Sequence, residues 1–410
     1  MKKIVFVSDA FHLHQKGVAD ALFEMTEGSY SFITTLPLRE ERKKMGFGND
    51  YPAYVLDASS RNAGVWAKAQ QIIDDAETVV LGSAPYELLT NRLAAGKLTF
   101  RYSERLWKQY KHYLKTPFYM MDNNKTKGCR LLCASAYAAH DYNMMGAFKD
   151  VCYKWGYFTE VSFDPSTGSG QAKLRSQGDS LKVKEDLSTD SSNLSNLRPV
   201  RMMWCSRYLD WKHPELPVFL AHRLKDKGYS FHITMYGSGQ YYEKTVELVH
   251  KLNLTDVISF TGNVPNEIVH QTMHETDIFL FTSDRGEGWG AVANEAMSEG
   301  CVLIASDEIG SVPYLVKDKE NGCTFKSSSR CRGFGRFGVS VDHKSLDSLV
   351  EKVEWLINNP SERKRLSENA IKTMQETWNP RVAAKNLLTL IEDIKQGRDT
   401  SIEYGPCSKA

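Results

Sequence analysis

The sequence predicts an α/β fold of two domains, each a parallel β-sheet covered by helices on both faces, that face a central cleft. Short apolar runs of strand length alternate with helical stretches along the chain, which is typical of parallel strands buried on both faces. The 410 residues exceed one typical core of about 100–200 residues. A polar segment also divides the chain near its middle, so two domains are expected.

The first half begins the alternation of strands and helices. Strands are predicted at residues 4–7, 79–83, 98–102 and 131–135, with helices at residues 18–25 and 87–93. We assign residues 1–163 to this first, Rossmann-like domain. Residues 164–198 are rich in Ser, Gly, Asp and Lys and lack the apolar side chains needed to offset the entropy of ordering. They are interpreted as a linker or mobile insertion.

The second half starts a new series and ends in helices. Its predicted strands are residues 200–205, 230–236, 257–260, 277–282 and 302–306, and its later helices are residues 345–357, 360–377 and 380–394. Residues 199–378 form the second Rossmann-like domain, and 379–410 a final helix and tail. Residues 327–338 are interpreted as a loop or hairpin insertion. Ligands of such sheets bind beyond the carboxyl ends of the strands, so the cleft is the expected site.

Charge and composition exclude several classes of protein. Lys and Arg number 52 and Asp and Glu 50, a net charge of +2, which does not favour a nucleic-acid partner. No apolar run reaches the roughly 18 residues of a membrane span, and the start is interpreted as a strand rather than a signal peptide. The eight cysteines contain no Cys-x-x-Cys pair, which indicates reduced thiols in a cytoplasmic protein.

The strongest motif lies where a strand passes into a helix, at residues 284–300. Its alternating glycines allow a close approach of backbone to ligand, and unpaired N–H groups at a helix start suit a diphosphate. Glu287 is placed in the loop to accept hydrogen bonds from a sugar, and Glu295 in the helix to accept them from ribose hydroxyls. The candidate ligand-binding residues here are Glu287, Gly288, Trp289, Gly290, Ala291 and Glu295.

Two further loops follow strands of the same domain. Arg207 and Lys212 are cations that would stabilise the negative charge of a leaving diphosphate. Gly237 and Gly239 would also approach phosphate, but position 242 is Tyr, so the glycines do not complete a dinucleotide-binding motif. No Asp-x-Asp occurs in the chain, and we expect neither a metal nor a cofactor.

Taken together, these motifs resemble the retaining glycosyltransferases of family 4, which have the GT-B fold. The resemblance covers roughly residues 199–395 and includes the two glutamates eight residues apart. It implies sugar transfer from a nucleotide-sugar donor, a UDP- or GDP-sugar, without a metal. Carried over, Arg207 and Lys212 bind the diphosphate, Glu295 the ribose, Glu287 the transferred sugar and Val264 the base. The final helix would cross back to the first domain.

The first half resembles the family less, as expected of an acceptor-binding domain. In the loop after the first strand, Gly17 remains where many relatives have paired glycines, and Lys16 and Gly17 are candidate contacts with phosphate or sugar. Many relatives carry a histidine after the strand at 98–102. This chain has Ser103 and Glu104 there, which are candidates for the acceptor side.

Residues 92–130 contain ten Lys and Arg and two acidic residues, 10 − 2 = +8, interleaved with aromatic residues. Such a face could rest on an anionic membrane and suit a lipid-linked acceptor. An ordinary solvated basic helix explains the pattern equally well.

The leading hypothesis is a glycosyltransferase of cell-surface polysaccharide or glycolipid biosynthesis, cytoplasmic or peripheral at the inner face of the membrane. Its acceptor would be a carbohydrate or a lipid-linked hydroxyl. A nucleotide-sugar epimerase and a catalytically silent sugar-nucleotide-binding subunit remain alternatives. A glycosidase that uses Glu287 and Glu295 is the least favoured, because one carboxylate would lie inside a helix.

Overall fold

The computed structural model describes residues 3–37, 51–108, 110–159, 198–327, 334–335, 338–339 and 341–410. The predicted linker, 164–198, therefore lies almost wholly outside the described residues, as does most of the predicted insertion at 327–338. Of that insertion, Phe334–Gly335 and Gly338–Val339 pair as a short antiparallel hairpin.

The first domain is built on a seven-stranded sheet. Its strands are β1 (Ile4–Ser8), β2 (Tyr30–Thr34), β3 (Val55–Asp57), β4 (Thr78–Leu81), β5 (Thr99–Ser103), β6 (Arg130–Cys133) and β7 (Cys152–Lys154). All pair in parallel, in the order β3-β2-β1-β4-β5-β6-β7. The helices are α1 (Leu13–Met25), α2 (Ala63–Asp75), α3 (Thr90–Ala94), α4 (Thr116–Lys125) and α5 (Ala138–Asn143).

The second domain repeats this plan with six strands. These are β8 (Val200–Cys205), β9 (Phe231–Tyr236), β10 (Ile258–Gly262), β11 (Ile278–Phe281), β12 (Val302–Ser306) and β13 (Cys323–Phe325). They pair in parallel in the order β10-β9-β8-β11-β12-β13. The helices between them are α6 (Glu215–Asp226), α7 (Tyr242–Lys251), α8 (Asn266–Glu275), α9 (Val292–Ser298) and α10 (Val312–Leu315).

Three helices complete the chain: α11 (His343–Asn358), α12 (Pro360–Glu376) and α13 (Pro380–Lys395). Helix α13 begins where the Asn379 side chain accepts a hydrogen bond from the N–H of Val382, and Pro380 suits the first helical position. It packs against α1 of the first domain, and Arg381 forms an ion pair with Glu24 at 3.0 Å. The predicted return of the final helix to the first domain is confirmed.

The tail beyond α13 joins the edge of the first sheet. The N–H of Cys407 donates to the carbonyl of Lys154 in β7 at 2.7 Å, and the N–H of Lys154 donates to the carbonyl of Ser408 at 2.8 Å. Backbone groups that would otherwise be left at a sheet edge are thereby paired.

An aromatic seam holds the two domains together. Trp289 of the second domain and Trp378 before α13 are both buried, with ring centroids 5.9 Å apart. Trp378 also stacks on Phe158 of the first domain at 6.1 Å and on Tyr314 at 5.8 Å. One hydrophobic cluster therefore runs through both sheets, with its members drawn from each domain.

Helix α1 begins earlier than predicted, at Leu13 rather than residue 18. The N–H of His12 donates to the Gln15 side chain at 3.0 Å, which satisfies a backbone group at the helix start. Lys16 and Gly17 consequently lie inside α1 and not in the loop after β1, and the Lys16 ammonium is 2.5 Å from Asp20.

Three arginines of the basic segment 92–130 are buried, and they bind polar groups inside the first domain. Arg92 donates to the carbonyls of Ile73 at 2.7 Å and Ala76 at 2.6 Å, at the end of α2. Arg101 bonds to Asn123 at 2.9 Å, and Arg105 lies 3.6 Å from Asp141. The segment therefore does not present all ten of its cations on one exposed face.

The seven cysteines of the described ranges are free, and all but Cys205 are buried, as predicted. None of the helices within those ranges combines the length and apolar character of a membrane span.

We predict that Arg92→Met lowers the free energy of unfolding by at least about 3 kcal/mol, because several buried carbonyls lose their donor. Urea denaturation measures the loss. Lys97→Met is the matched control, since Lys97 donates to the Asp74 carbonyl from an exposed position. Equal losses in the two variants would contradict the structural role of Arg92.

Candidate functional site

The candidate site lies where the strand order of the second sheet reverses, between β8 and β11. These strands are neighbours and parallel, so the loops that follow them, residues 206–214 and 282–291, leave the same edge of the sheet. Open α/β sheets bind their ligands at such a switch point. All the residues predicted on these two loops are thereby brought to one place.

An ion pair joins the two loops. The Lys212 ammonium contacts the Glu287 carboxylate, which also accepts a hydrogen bond from the Ser283 hydroxyl at 3.2 Å. The backbone of Lys212 is held in place because the hydroxyl of Thr282, directly after β11, donates to its carbonyl at 2.7 Å. Both predicted residues therefore meet at the carboxyl ends of β8 and β11.

The protonation state of Glu287 follows from these contacts. Burial on its own would raise the pKa of Glu287, but the Lys212 charge and hydrogen bond, Ser283 and the more distant charge of Lys108 outweigh it. The pKa of Glu287 lies below its usual value. The carboxylate is thus ionised at neutral pH, and it acts as an acceptor of hydrogen bonds rather than as an acid.

Arg207 lies in the first of the two loops, residues 206–214, and its side chain is exposed. Within the described part of the chain, its guanidinium forms neither a hydrogen bond nor an ion pair. Glu295 lies in α9, also without a hydrogen-bond partner among described residues, and burial raises the pKa of Glu295 above its ordinary value. One cation and one carboxylate are therefore available to a ligand.

Gly237 and Gly239 shape the turn that carries Arg207. Both have positive φ, 109° and 151°, in the region that favours glycine. A Cβ on Gly237 would lie 1.9 Å from the Ser206 carbonyl oxygen, and one on Gly239 would lie 2.6 Å from that of Tyr208. These glycines therefore pack against the backbone of the 206–208 turn. Val264, the predicted contact with the base, follows β10 and is half-buried.

The loop of residues 282–291, which we call the glycine-rich loop, packs against the first domain. Trp289 is fully buried, and its indole N–H donates to Asn294 at 2.9 Å. Gly290 adopts a φ of 80°, and a Cβ there would lie 2.3 Å from the Phe281 ring. Trp289 is therefore a packing residue of the seam in this structure rather than an open ligand contact. Helix α9 begins at Val292, with Ala291 as its N-cap.

Glu104 faces the candidate site from the first domain. A Cβ on Gly288 would lie 2.0 Å from the Glu104 carboxylate oxygen, so the carboxylate occupies the space of the missing side chain. Glu104 pairs with Lys108 and accepts a hydrogen bond from the Tyr157 hydroxyl at 2.7 Å. The structure thus brings Glu104, Gly288 and Glu287 together. Ser103 is engaged with the Tyr142 hydroxyl at 2.8 Å, and Lys16 and Gly17 lie in α1.

His213 is a site residue that the sequence analysis missed. It lies between two carboxylates, with Nδ1 2.7 Å from Glu215 and Nε2 3.4 Å from Asp284. Burial opposes its charge, but the Glu215 and Asp284 carboxylates raise the pKa of His213 to about 10. Asp284 in turn accepts the N–H of Gly286 at 2.7 Å. The imidazolium therefore fixes the start of the glycine-rich loop.

Arg285 was also missed by the sequence analysis, and it binds the glycine-rich loop to the first domain. Its Nη2 donates to the carbonyl of Trp107 at 2.9 Å, and it lies 3.3 Å from the Tyr113 hydroxyl. No motif signalled this contact, because its partners come from the other domain. Across the described ranges, no three His, Cys, Asp or Glu side chains are grouped to hold a metal ion.

Comparison with known proteins now gives these residues a context. Residues 189–332, about a third of the chain, match the family model of glycosyl transferases group 1. The putative colanic acid biosynthesis glycosyltransferase WcaL of Escherichia coli is 25% identical over 129 residues, which are 30% of this chain and 32% of WcaL. The amylovoran biosynthesis glycosyltransferase AmsK of Erwinia amylovora is 25% identical over 130 residues, with the same coverage of 30% and 32%. The chain thus spans about a third of each relative's length.

Among solved structures, HepE of Anabaena in complex with UDP has a TM-score of 0.66 at 13% identity, over 96% of this chain and 100% of HepE. At that identity the likeness shows the fold alone, and it confirms the predicted two-domain GT-B architecture. The match of residues 189–332 confirms the predicted resemblance to glycosyltransferases, at the level of the group 1 glycosyl transferases.

We predict that charge on His213 makes stability depend on pH. Its folded pKa is raised, so the stabilisation is complete below the unfolded value of about 6.5 and is lost as pH rises towards about 10. Over that window the free energy of unfolding of the native protein falls by about 1.4 kcal/mol per pH unit relative to His213→Asn. Asparagine tolerates the left-handed φ of 49° at this position.

Urea denaturation of both proteins at several pH values measures this difference. Parallel stability curves between pH 6.5 and 10 would show that His213 is not held as an imidazolium.

Proposed function

We propose that this protein is a glycosyltransferase that moves a sugar from a UDP- or GDP-sugar to a hydroxyl of a carbohydrate or lipid-linked acceptor. The transfer retains the anomeric configuration and needs neither a metal nor a cofactor. The proposal rests on the ion pair of Glu287 and Lys212 at the switch point of the second sheet, and on the exposed Arg207 in the same loop as Lys212. The match of residues 189–332 to group 1 glycosyl transferases supports this assignment.

The cations of the site stabilise the negative charge that develops on the leaving diphosphate during transfer. As the bond between the sugar and the diphosphate breaks, negative charge grows on the leaving phosphate oxygen. Arg207 and Lys212 stabilise that charge in place of a metal ion. Lys212 is already held by Glu287, so this cation is positioned before any donor arrives.

Glu287 and Glu295 bind hydroxyl groups. Because the pKa of Glu287 lies below its ordinary value, the carboxylate accepts hydrogen bonds from hydroxyls of the transferred sugar. Glu295, which makes no hydrogen bond to the described residues, accepts them from the ribose. An ionised Glu287 is not a general acid, so a glycosidase would have to take its proton from Glu295, which lies inside helix α9.

The reaction then balances without an acid or a base from the protein. The acceptor oxygen forms a bond to the anomeric carbon from the face that the diphosphate leaves. The bond from that carbon to the phosphate oxygen breaks, and the acceptor proton passes to a phosphate oxygen of the departing nucleoside diphosphate. The products are the glycoside and the protonated nucleotide.

The setting we propose is the assembly of a cell-surface polysaccharide or glycolipid, on the cytoplasmic face of the membrane. The biosynthetic names of WcaL and AmsK support the polysaccharide class. Residues 92–130 provide peripheral contact with anionic lipid.

We expect one class of nucleotide sugar to raise the melting temperature of the protein with or without EDTA. Ligand at 100 times its dissociation constant adds about 2.7 kcal/mol of stability. Arg207→Ala abolishes the shift, whereas Glu287→Gln keeps most of the binding and lowers turnover at least about a hundredfold. Arg223→Ala is the control, because Arg223 pairs with Asp347 on the exposed surface of the same domain and leaves both properties unchanged.

Other outcomes would select the alternatives. A donor that binds but releases no nucleotide with any acceptor indicates a silent binding subunit. Interconversion of the nucleotide sugar without an acceptor indicates an epimerase. A shift that requires metal would contradict the metal-free site.

We further expect Glu104 to act on the acceptor side of the cleft. Glu104→Gln keeps the volume beside Gly288 but removes the charge that pairs with Lys108. The variant should raise the acceptor KM or lower kcat about tenfold or more, while the donor-induced thermal shift stays unchanged.

Tyr157→Phe is the companion variant, because it removes one hydrogen bond to Glu104 and leaves the charge in place; its effect should be smaller. If Glu104→Gln weakens donor binding as much as Arg207→Ala does, Glu104 belongs to the donor site instead.

A further inference from the structure

One short stretch of the first domain exposes an unusual amount of apolar surface. Ten large hydrophobic side chains are exposed in the described chain, and five of them fall within residues 113–121. We name residues 113–121 the apolar tip. Leu114 is 84% exposed, Phe118 67% and Met121 61%. Scattered apolar residues need no explanation, but a cluster of this kind marks an interaction surface.

The backbone places these side chains together. A 3-10 helix, Tyr110–Lys115, runs directly into α4, Thr116–Lys125. Phe118 and Met121 lie three residues apart in α4, which places them on one face of that helix, and Leu114 lies in the 3-10 helix directly before it. The tip is therefore a short run of exposed apolar side chains, which we call the ridge.

Positive charge surrounds the ridge. Lys115 lies within the tip, and Lys125 and Lys127 follow it; all three are exposed. Lys125 is 3.3 Å from Glu87, and Asp122 is the single acidic residue of the sequence from 110 to 127. Apolar side chains flanked by lysines complement the interface of an anionic bilayer.

The tip borders the candidate site. Tyr113 stacks on Trp107 with ring centroids 4.8 Å apart. Its hydroxyl lies 3.3 Å from Arg285 of the glycine-rich loop, two residues before Glu287. A surface that receives the tip is consequently held close to the mouth of the cleft.

We propose that the apolar tip inserts into the interface of an anionic lipid bilayer and orients the cleft towards that surface. Insertion itself depends only on the tip, whereas presentation of a lipid-linked acceptor to the cleft rests on the proposed function. Charge across residues 92–130 suggested membrane contact from the sequence. The structure narrows that contact to the exposed ridge, since three of the arginines are buried.

A second copy of the chain is a poorer occupant for this surface. A symmetric contact through the tip would set Lys115, Lys125 and Lys127 against their own copies, and like charges brought together oppose association. Anionic headgroups meet the same lysines with opposite charge. Charge therefore favours lipid over self-association.

Sedimentation of the full chain with vesicles tests the proposal. Vesicles of phosphatidylcholine alone are compared with vesicles that contain about 30% phosphatidylglycerol. We expect binding to the anionic vesicles, reduced at least about tenfold by Leu114→Ser, Phe118→Ser and Met121→Ser together. Lys115→Gln alone should cost about fivefold, since one lysine near an anionic surface contributes about 1 kcal/mol. Met144→Ser is the control, because Met144 is 67% exposed outside the tip.

The donor-induced thermal shift is measured on the same proteins. An unchanged shift in the triple variant confirms that it folds and keeps its donor site. A loss of vesicle binding can therefore be distinguished from a failure of the proposed function. Vesicle binding that survives the triple variant, or an absence of binding by the native chain, overturns the proposal. A native dimer that the triple variant converts to monomer assigns the tip to self-association instead.

Discussion

The meeting of Trp289 with Gly156 is the contact on which the arrangement of the two domains depends. A Cβ on Gly156 would lie 2.2 Å from the Trp289 ring, so the indole seats against bare backbone of the first domain. The same loop then carries Gly288 against Glu104 and Glu287 against Lys212. Close packing of interiors makes such a fit intolerant of one added methyl group. The seam therefore fixes how far apart the two domains can lie across the cleft.

The electrostatics of the site follow a second constraint, which is that buried charges need partners. Glu287 has Lys212, and His213 has Glu215 and Asp284. Arg207 is exposed, so its charge is solvated, whereas Glu295 makes no hydrogen bond to the described residues. The paired groups hold the two loops in place. Arg207, which is exposed to solvent, is the cation that an anionic ligand can reach.

Much of this was predictable from sequence, for physical reasons. Continuous apolar runs identified four strands of the first sheet and five of the second. They missed β2, in which polar residues interrupt the apolar run, and β3, β7 and β13, which are only three residues long. Lys212 and Glu287 were each identified through the motifs and the resemblance, but their ion pair was not predicted. His213 was not, because its charge depends on two carboxylates that only folding brings together. Nor can sequence separate buried arginines from surface ones, so Arg92 was counted as part of a basic face. The start of α1 was missed because His12 is not a usual capping residue.

The return of α13 and the tail to the first domain has a consequence for biosynthesis. Domains generally fold as they emerge from the ribosome, with the N-terminal one first. Here Glu24 is 357 residues away from its partner Arg381, and β7 is paired by residues 407 and 408. At about 5–20 residues per second, the nascent first domain waits tens of seconds for these segments. The face of α1 and the edge of β7 stay uncovered throughout that interval, which makes the half-made chain a natural client for a chaperone.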